Sequence, residues 1–476
     1  MNAISALVPL LLVVAGALCV LLLEAFLRRE NRNYLAYLSL AVLFGCAIFC
    51  ATLWNDRPSY FEGMLTLDKF ALLLTFLLLV GTAFVILSGM KYTVQLDIRL
   101  GEFYGLLLLA LAGLMIMVSS PSLVVIFLGL EVTSVASYAL AGLNRNDDAS
   151  SEAAVKYFLM GSFASAFLVF GLALVFGTAH ALDIGAVING LGATSAQPAL
   201  GLVGLGLVLI GFAFKIALVP FHMWTPDVYQ GAPTPVTAFF AFGPKAAGFA
   251  VLFRILAPYW REGFASEKIT SILWVMAALT MLAGSVIALR QRNVKRLLAY
   301  SSIANAGYLL VAVLSSDGSG LLFFLVVYLF MSMGAFGSLL AMCKTGREFH
   351  DLEDFAGVGF KYPWIGALFA IFLVSLAGFP PSGGFLAKFY VFSAAVRSGL
   401  TPLVIIGVLA SLISVFYYLR VIVYMYMRAP EREIEIEMEN PALFLVLFLC
   451  LYGVLQLGIF PGNVLSIIKQ AVASMF

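Results

Sequence analysis

Lys215, Lys245 and Lys388, together with Glu131, stand inside long apolar stretches of the chain. Each charged side chain at mid-membrane depth costs roughly 2.5 to 3.5 kcal/mol on insertion scales. Four of them amount to on the order of 10 kcal/mol, set against a net stability of about 5 to 15 kcal/mol. Ammonium and carboxylate groups in such surroundings either pair with one another or exchange protons along a polar axis.

Two of the lysines adjoin helix breakers. In FKIALVPFHMWTPDVYQGAPTPVTAFF, Phe214 to Phe240, Pro220 follows Lys215 closely. Its ring lacks a donor and clashes with the carbonyl four residues back, so the helix should kink or stop within a turn of Lys215. The freed carbonyls need protein or water partners, which predicts a wet interior beside this lysine. His222, two residues past Pro220, is either a hydrogen-bonded packing group or a proton carrier. In SLAGFPPSGGFLAKFYVF, Ser375 to Phe392, two prolines and two glycines interrupt a second helix just before Lys388. Lys215 ends a half-helix, where the dipole favours a cation, whereas Lys388 follows a half-helix start, where it does not. Lys388 is therefore expected to release its proton more readily.

Glu131, within LGLEVTSVASYALAGL, has no short route to an interface and is expected to be protonated or paired, with Lys215 as the natural partner. Lys156, one turn into the next span, either snorkels to the interface or extends the polar line towards Glu131. Lys245 directly follows Gly243 and Pro244, again beside an expected helix irregularity. Further on, Ser301, Ser302, Asn305 and Tyr308 fall on one helix face at spacings of three and four, a stripe that either binds neighbouring helices or lines water.

The elements that must hold these groups follow from composition. Apolar residues make up 63% of the 476 and charged residues 11%, with a mean hydropathy of +1.05. This places the chain outside the soluble globular class. Fourteen stretches reach the length that spans a bilayer, starting near residues 5, 34, 69, 103, 121, 154, 199, 233, 269, 297, 319, 363, 401 and 442. Sixteen of the 27 Lys and Arg flank the loops after odd-numbered spans and seven flank the other side, which puts the first set in the cytoplasm and both termini outside. The net charge of +2 points to no nucleic-acid partner, and the five cysteines form no paired CxxC for a metal or cluster. The loop HDLEDFAG around His350 is acidic, but no metal site is assigned to it. EREIEIEMEN, Glu431 to Asn440, alternates at period two and is either a short strand or a solvated acidic loop.

The breaks, in the seventh and twelfth spans, lie five spans apart and therefore run in opposite directions. That is the mark of an inverted repeat. The expected fold is an all-α integral membrane protein of about 14 transmembrane helices, with two inverted five-helix repeats and discontinuous helices 7 and 12. The expected divisions are 1–100 for spans 1 to 3, 101–260 for the first repeat, 261–430 for the second, and 431–476 for the acidic loop and last span.

FKIALVPFHMWTPDVYQGAP, NVKRLLAYSSI and SLAGFPPSGGFLAKFYV make the chain resemble the antiporter-like membrane subunits of respiratory complex I, the proton-pumping NADH:quinone oxidoreductase. The resemblance implies a charge pair of Glu131 and Lys215, a central relay at Lys245 and a terminal lysine at Lys388. It implies that this chain holds no redox cofactor, while FMN and iron-sulfur clusters reside on partner subunits. Membrane neighbours of the K and M type and a bacterial inner membrane are implied as well. Lysine at 388 argues against the M-type sister, which is expected to carry glutamate, and the end after a fourteenth span argues against the L-type, which should continue into a lateral helix. Where the family often shows a histidine in the tenth span the chain has Asn305, so water must carry that step. Pro244 replaces a usual small polar residue. The rival readings are a subunit of an Mrp-type Na+/H+ antiporter, which shares the charge pair, a solute/proton symporter, and a purely structural scaffold.

Overall fold

In the computed structural model the described residues are 3–27, 33–55, 59–60, 63–95, 98, 100–191, 198–261, 267–343, 348–430, 436 and 440–475. The helices are α1 (Ala3–Phe26), α2 (Tyr34–Thr52), α3 (Lys69–Gln95), α4 (Leu100–Ser119), α5 (Leu123–Ala141), α6 (Asp148–Ala179), α7 (Ile184–Leu191), α8 (Pro198–Lys215), α9 (Trp224–Gly231) and α10 (Thr234–Arg261). They continue with α11 (Glu267–Ala288), α12 (Val294–Leu314), α13 (Gly318–Ala341), α14 (Val358–Lys361), α15 (Pro363–Ala377), α16 (Gly383–Arg397), α17 (Thr401–Met427), α18 (Pro441–Ile459) and α19 (Gly462–Ala473). A two-residue hairpin pairs Ser59 with Thr66 and Tyr60 with Leu65.

Among the described residues twelve helices are long and apolar enough to cross a membrane. The two broken passages, α8 with α9 and α15 with α16, complete the fourteen expected. Hydrophobicity alone located these spans because each must satisfy its backbone internally and present apolar side chains all round. α7 and α19 fall outside that rule. α7 is a single short helix capped by Asp183, whose carboxylate accepts from the amide of Ala186 at 3.1 Å. α19 is amphipathic and packs Ile468 and Ala471 inward. The acidic segment 431–440 lies almost wholly outside the described residues.

α10, α12 and α13 form the centre. Every residue of the most apolar window of α10 and α12 is buried, as is 94% of that of α13. α10 is continuous through Gly243 and Pro244, contrary to the irregularity expected there. The bundle surrounds it, and packing against α3, α4, α12 and α13 keeps the helix continuous although Pro244 supplies no N–H. An ion pair pins one end of this core. Arg254 of α10 donates to both oxygens of Asp68 at 2.9 and 3.0 Å, and Asp68 in turn caps α3 through the amide of Ala71 at 2.7 Å.

Both breaks fall where the prolines place them, and both include a cis X-Pro peptide, Val219–Pro220 and Pro380–Pro381. Part of the first break finds partners within the protein. The Trp224 indole donates to the Phe214 carbonyl at 2.9 Å, the amide of Leu218 to Ala213 at 2.8 Å, and the amide of Val219 to the Thr280 hydroxyl at 3.0 Å. The carbonyls of Ala213 and Phe214 are thus met by protein donors. In the second break Gly378 takes the left-handed conformation, φ 90°, that ends α15, a position where a side chain would be strained. The chain then folds back so closely that a Cβ on Gly384 would lie 1.8 Å from the carbonyl oxygen of Ser375. Gly384→Ala should force the two half-helices apart and cost about 1 to 3 kcal/mol or more. The expected result is a lower thermal midpoint of the assembled protein, with Gly206→Ala, where a Cβ meets nothing within 4 Å, leaving it unchanged.

Candidate functional site

Lys215, Lys245 and Lys388 are 2%, 1% and 7% exposed, so none reaches an interface by extending its side chain. Each ammonium is held by hydroxyl or carbonyl oxygens. Lys215 Nζ donates to Ser134 Oγ of α5 at 2.9 Å and lies 5.7 Å from the Tyr157 ring centre. Glu131, one turn before Ser134, accepts from Ser165 of α6 and remains within electrostatic reach of Lys215. The expected pair is thus not in direct contact, since the Ser134 hydroxyl that takes Lys215 donates to the Leu130 carbonyl at 2.7 Å and Glu131 is held by Ser165. Sequence reading passed over Ser134, although its place three residues after Glu131 puts both on one helix face.

Lys245 donates to the backbone carbonyl of Ser302 at 2.7 Å and to its hydroxyl. That hydroxyl also accepts from Tyr328 of α13 at 2.9 Å. The stripe on α12 continues from there. Ser301 shares a hydrogen bond with Tyr418 of α17, and Asn305 Nδ2 donates to the Ser301 carbonyl at 2.9 Å. Asn305 Oδ1 and the hydroxyls of Tyr308 and Ser285 are buried without a well-formed hydrogen bond to protein, with Tyr308 facing Ser285 and Ser411. Tyr308 leads to the third lysine, whose Nζ lies 5.0 Å from its ring centre.

Lys388 donates to the carbonyls of Leu376 at 3.1 Å and Ala377 at 2.9 Å and to Ser411 Oγ of α17 at 2.9 Å. Leu376 and Ala377 are the last residues of α15. The side chain therefore folds back from the start of α16 onto the negative end of the preceding half-helix, which overturns the premise that Lys388 sits in an unfavourable dipole. Lys215 and Lys388 both occupy carboxyl ends of half-helices, and the expected difference in proton release no longer follows from helix polarity.

The remaining candidates part from this row. Lys156 Nζ lies 2.6 Å from Glu152 and 2.8 Å from Asp227 of α9, 42% exposed, and so anchors the second half of the broken passage rather than approaching Glu131. Asp227 also accepts from Arg296 of α12. His222 is buried in the first break with Nδ1 unpartnered. Arg420 of α17 caps α11 by donating to the carbonyl of Leu289 at 2.7 Å and to that of Gln291.

A second buried cluster escaped sequence reading because its members lie far apart in the chain. Glu348 accepts from Tyr92, from Thr234 Oγ1 at 2.9 Å and from Lys295 at 3.2 Å, and Lys295 also donates to the carbonyl of Ala232 at 2.8 Å. Asp354 of the HDLEDFAG loop accepts from the amides of His350 and Asp351 at 3.1 and 3.0 Å. Burial alone would push the Glu348 carboxyl up, but Lys295, Tyr92, His350 and Thr234 together hold it below the usual carboxylate range. A depressed folded value stabilises the fold above the unfolded carboxylate's pKa of about 4.3, and that contribution fades as the pH falls through the folded value. Glu348→Gln should therefore lower the thermal midpoint at pH 7, with a gap to the parent that narrows only below about pH 4.

The family model described as NADH:quinone oxidoreductase/Mrp antiporter, transmembrane, matches residues 120–414. NADH-quinone oxidoreductase subunit N of Trichlorobacter lovleyi is 41% identical over 98% of this chain and 97% of its own length. A chain of respiratory complex I from Thermus thermophilus superimposes with a TM-score of 0.82 at 33% identity, covering 96% of this chain and 98% of that one. A chain of the Mrp complex from Dietzia sp. superimposes with a TM-score of 0.84 over 100% of this chain and 98% of that one, at 20% identity, a likeness of fold. The chain belongs to the NADH-quinone oxidoreductase subunit N family, the antiporter-like membrane subunits of complex I.

Proposed function

We propose that this chain moves protons across the membrane as the N-type subunit of an NADH:quinone oxidoreductase, driven by quinone reduction on other subunits. The observation that carries the reading is the row of three buried ammonium groups, each held by oxygen ligands and, among the described residues, none by a carboxylate within ion-pair distance. An ammonium kept by hydroxyls and carbonyls can lose its proton without leaving a buried carboxylate unpaired, which an ion pair cannot do. The unpartnered oxygens of Asn305, Tyr308 and Ser285 cost about 1 to 3 kcal/mol each unless water reaches them, and so favour a hydrated stretch between Lys245 and Lys388.

In this reading Glu131 is the control element. Movement of its carboxylate from Ser165 towards Lys215 would replace a hydroxyl partner by a charge and hold the proton on that lysine. Movement back would release it towards Lys245 and on to Lys388. Each charge crosses against about 2.3 kcal/mol per 100 mV. Lys156 is an anchor for α9 here, and His222 is the nearest spare proton carrier to the break.

The basic end at Arg290 to Arg296 would face the cytoplasm of a bacterial inner membrane, with both termini on the opposite side. Residues 101–260 and 261–430 would act as the two inverted halves, flanked by 1–100 and 431–476. FMN and iron-sulfur clusters would lie on partner subunits, and K- and M-type subunits would flank the chain in the membrane. The Mrp-type alternative has the shared fold in its favour, but the 41% identity to an N-type subunit outweighs it.

Lys215→Ala in an assembled complex tests the reading. NADH-driven quinone reduction and proton uptake into membrane vesicles should fall together, by tenfold or more. Unchanged rates with unchanged uptake would make Lys215 a structural charge.

A further inference from the structure

Aromatic rings close around Lys215 at the first break. Tyr157 of α6 is fully buried, and four rings set its plane. Trp224 of α9 stacks on it with 4.4 Å between centres and 7° between planes, Tyr138 of α5 and Phe240 of α10 meet it edge-on at 4.8 and 5.6 Å, and Phe214 of α8 lies 6.5 Å away. Trp224 is itself tied to the end of α8, since its indole donates to the carbonyl of Phe214, the residue before Lys215. The Tyr157 hydroxyl is buried without a hydrogen-bond partner. Ring packing therefore places this side chain, and no bond at its tip does.

An ammonium carries three donors. Among the described residues Lys388 rests on three oxygens and Lys245 on two, whereas Lys215 has one, the Ser134 hydroxyl at 2.9 Å. Glu131 does not make up the difference, because it is held by Ser165. The Tyr157 ring does lie over this ammonium, with 5.7 Å from its centre to Nζ. In a desolvated site the negative face of the ring attracts a cation, and that attraction is lost once the amine is neutral. The ring face takes no proton and carries no net charge, so nothing is left unpaired when the lysine discharges. Lys388 lies over Tyr308 in a similar way, at 5.0 Å, but already has its three oxygens.

We propose that Tyr157 is a positioning residue for Lys215, its ring face standing as the second ligand of the ammonium where a counter-ion would otherwise be needed. The proposal deepens the proton-moving function above and rests on it. The ring holds Nζ beside Ser134 while the lysine is charged and releases it when the proton leaves. Trp224 keeps the face turned to its task, because it joins the ring to both halves of the break.

The experiment measures the rate of NADH-driven proton uptake in vesicles carrying the assembled complex. Tyr157→Leu and Tyr157→Phe are compared first, and position 157 is then filled with phenylalanine bearing one, two or three fluorines. Fluorine withdraws electrons from the face that attracts the cation and leaves the shape of the ring almost unchanged. The same fluorinated residues are placed at Phe84, whose ring pairs with that of Phe330 at 6.3 Å, as a control for packing. Uptake lost in Tyr157→Leu should return in Tyr157→Phe and fall again with each fluorine, by about tenfold at the third, while the series at Phe84 stays level. If Tyr157→Leu does not assemble, the fluorine series decides alone. A level series at position 157 overturns the proposal, because the ring then only fills space. A loss already complete in Tyr157→Phe overturns it as well, because the hydroxyl then carries the role. So does unchanged uptake in Tyr157→Leu, or an equal decline in the Phe84 series. If Lys215→Ala abolishes uptake while the series at position 157 is level, the ring falls alone and the proton-moving function stands. If Lys215→Ala leaves uptake unchanged, both fall.

Discussion

Everything in this fold depends on keeping three ammonium groups inside a bilayer without a fixed counter-ion. Lys215, Lys245 and Lys388 meet this constraint in the same way, through hydroxyls from facing helices and, for Lys245 and Lys388, backbone carbonyls. A carboxylate at contact distance would hold each charge more firmly, and would also prevent its discharge. Oxygen dipoles stabilise the cation less and leave the neutral amine tolerable, which is the condition for a group that must alternate between the two.

The breaks supply those dipoles where intact helices cannot. In a continuous helix every carbonyl at mid-depth is already engaged four residues on. Ending α15 at Ala377 exposes its last carbonyls just where Lys388 folds back, and ending α8 at Lys215 leaves that lysine at the negative end of its own helix. Proline and glycine set these ends, and the close approach at Gly384 locks the second one. The continuous helices α10 and α12, buried throughout their most apolar windows, then carry the row from one break to the other.

Much of this was legible in the chain. Long apolar runs gave the fourteen passages because bilayer thickness and backbone satisfaction leave little freedom, and Pro220, Pro380 and Pro381 located both breaks. The groups that solvate the lysines were not legible. Ser134, Ser302, Ser411 and Tyr328 are ordinary small or aromatic residues of membrane helices, and only packing shows that they converge on Nζ atoms. Lys388 was misjudged because its position in sequence marks the start of α16, whereas a flexible four-carbon side chain carries the charge back to α15. Pro244 points in the opposite sense, since tertiary packing keeps α10 continuous through it. The Glu348 cluster joins residues 92, 234, 295 and 348, and no local pattern could have assembled it.

The proposed proton passage depends on whether the row of lysines is hydrated between the two breaks. A density map of the assembled complex at a resolution that shows ordered water tests this most directly. Water molecules bonded to Asn305 Oδ1 and the Tyr308 hydroxyl, and leading from Ser302 to Lys388, are the expected result. A dry, close-packed stretch between Lys245 and Lys388, with those oxygens satisfied by shifted protein groups, would contradict it.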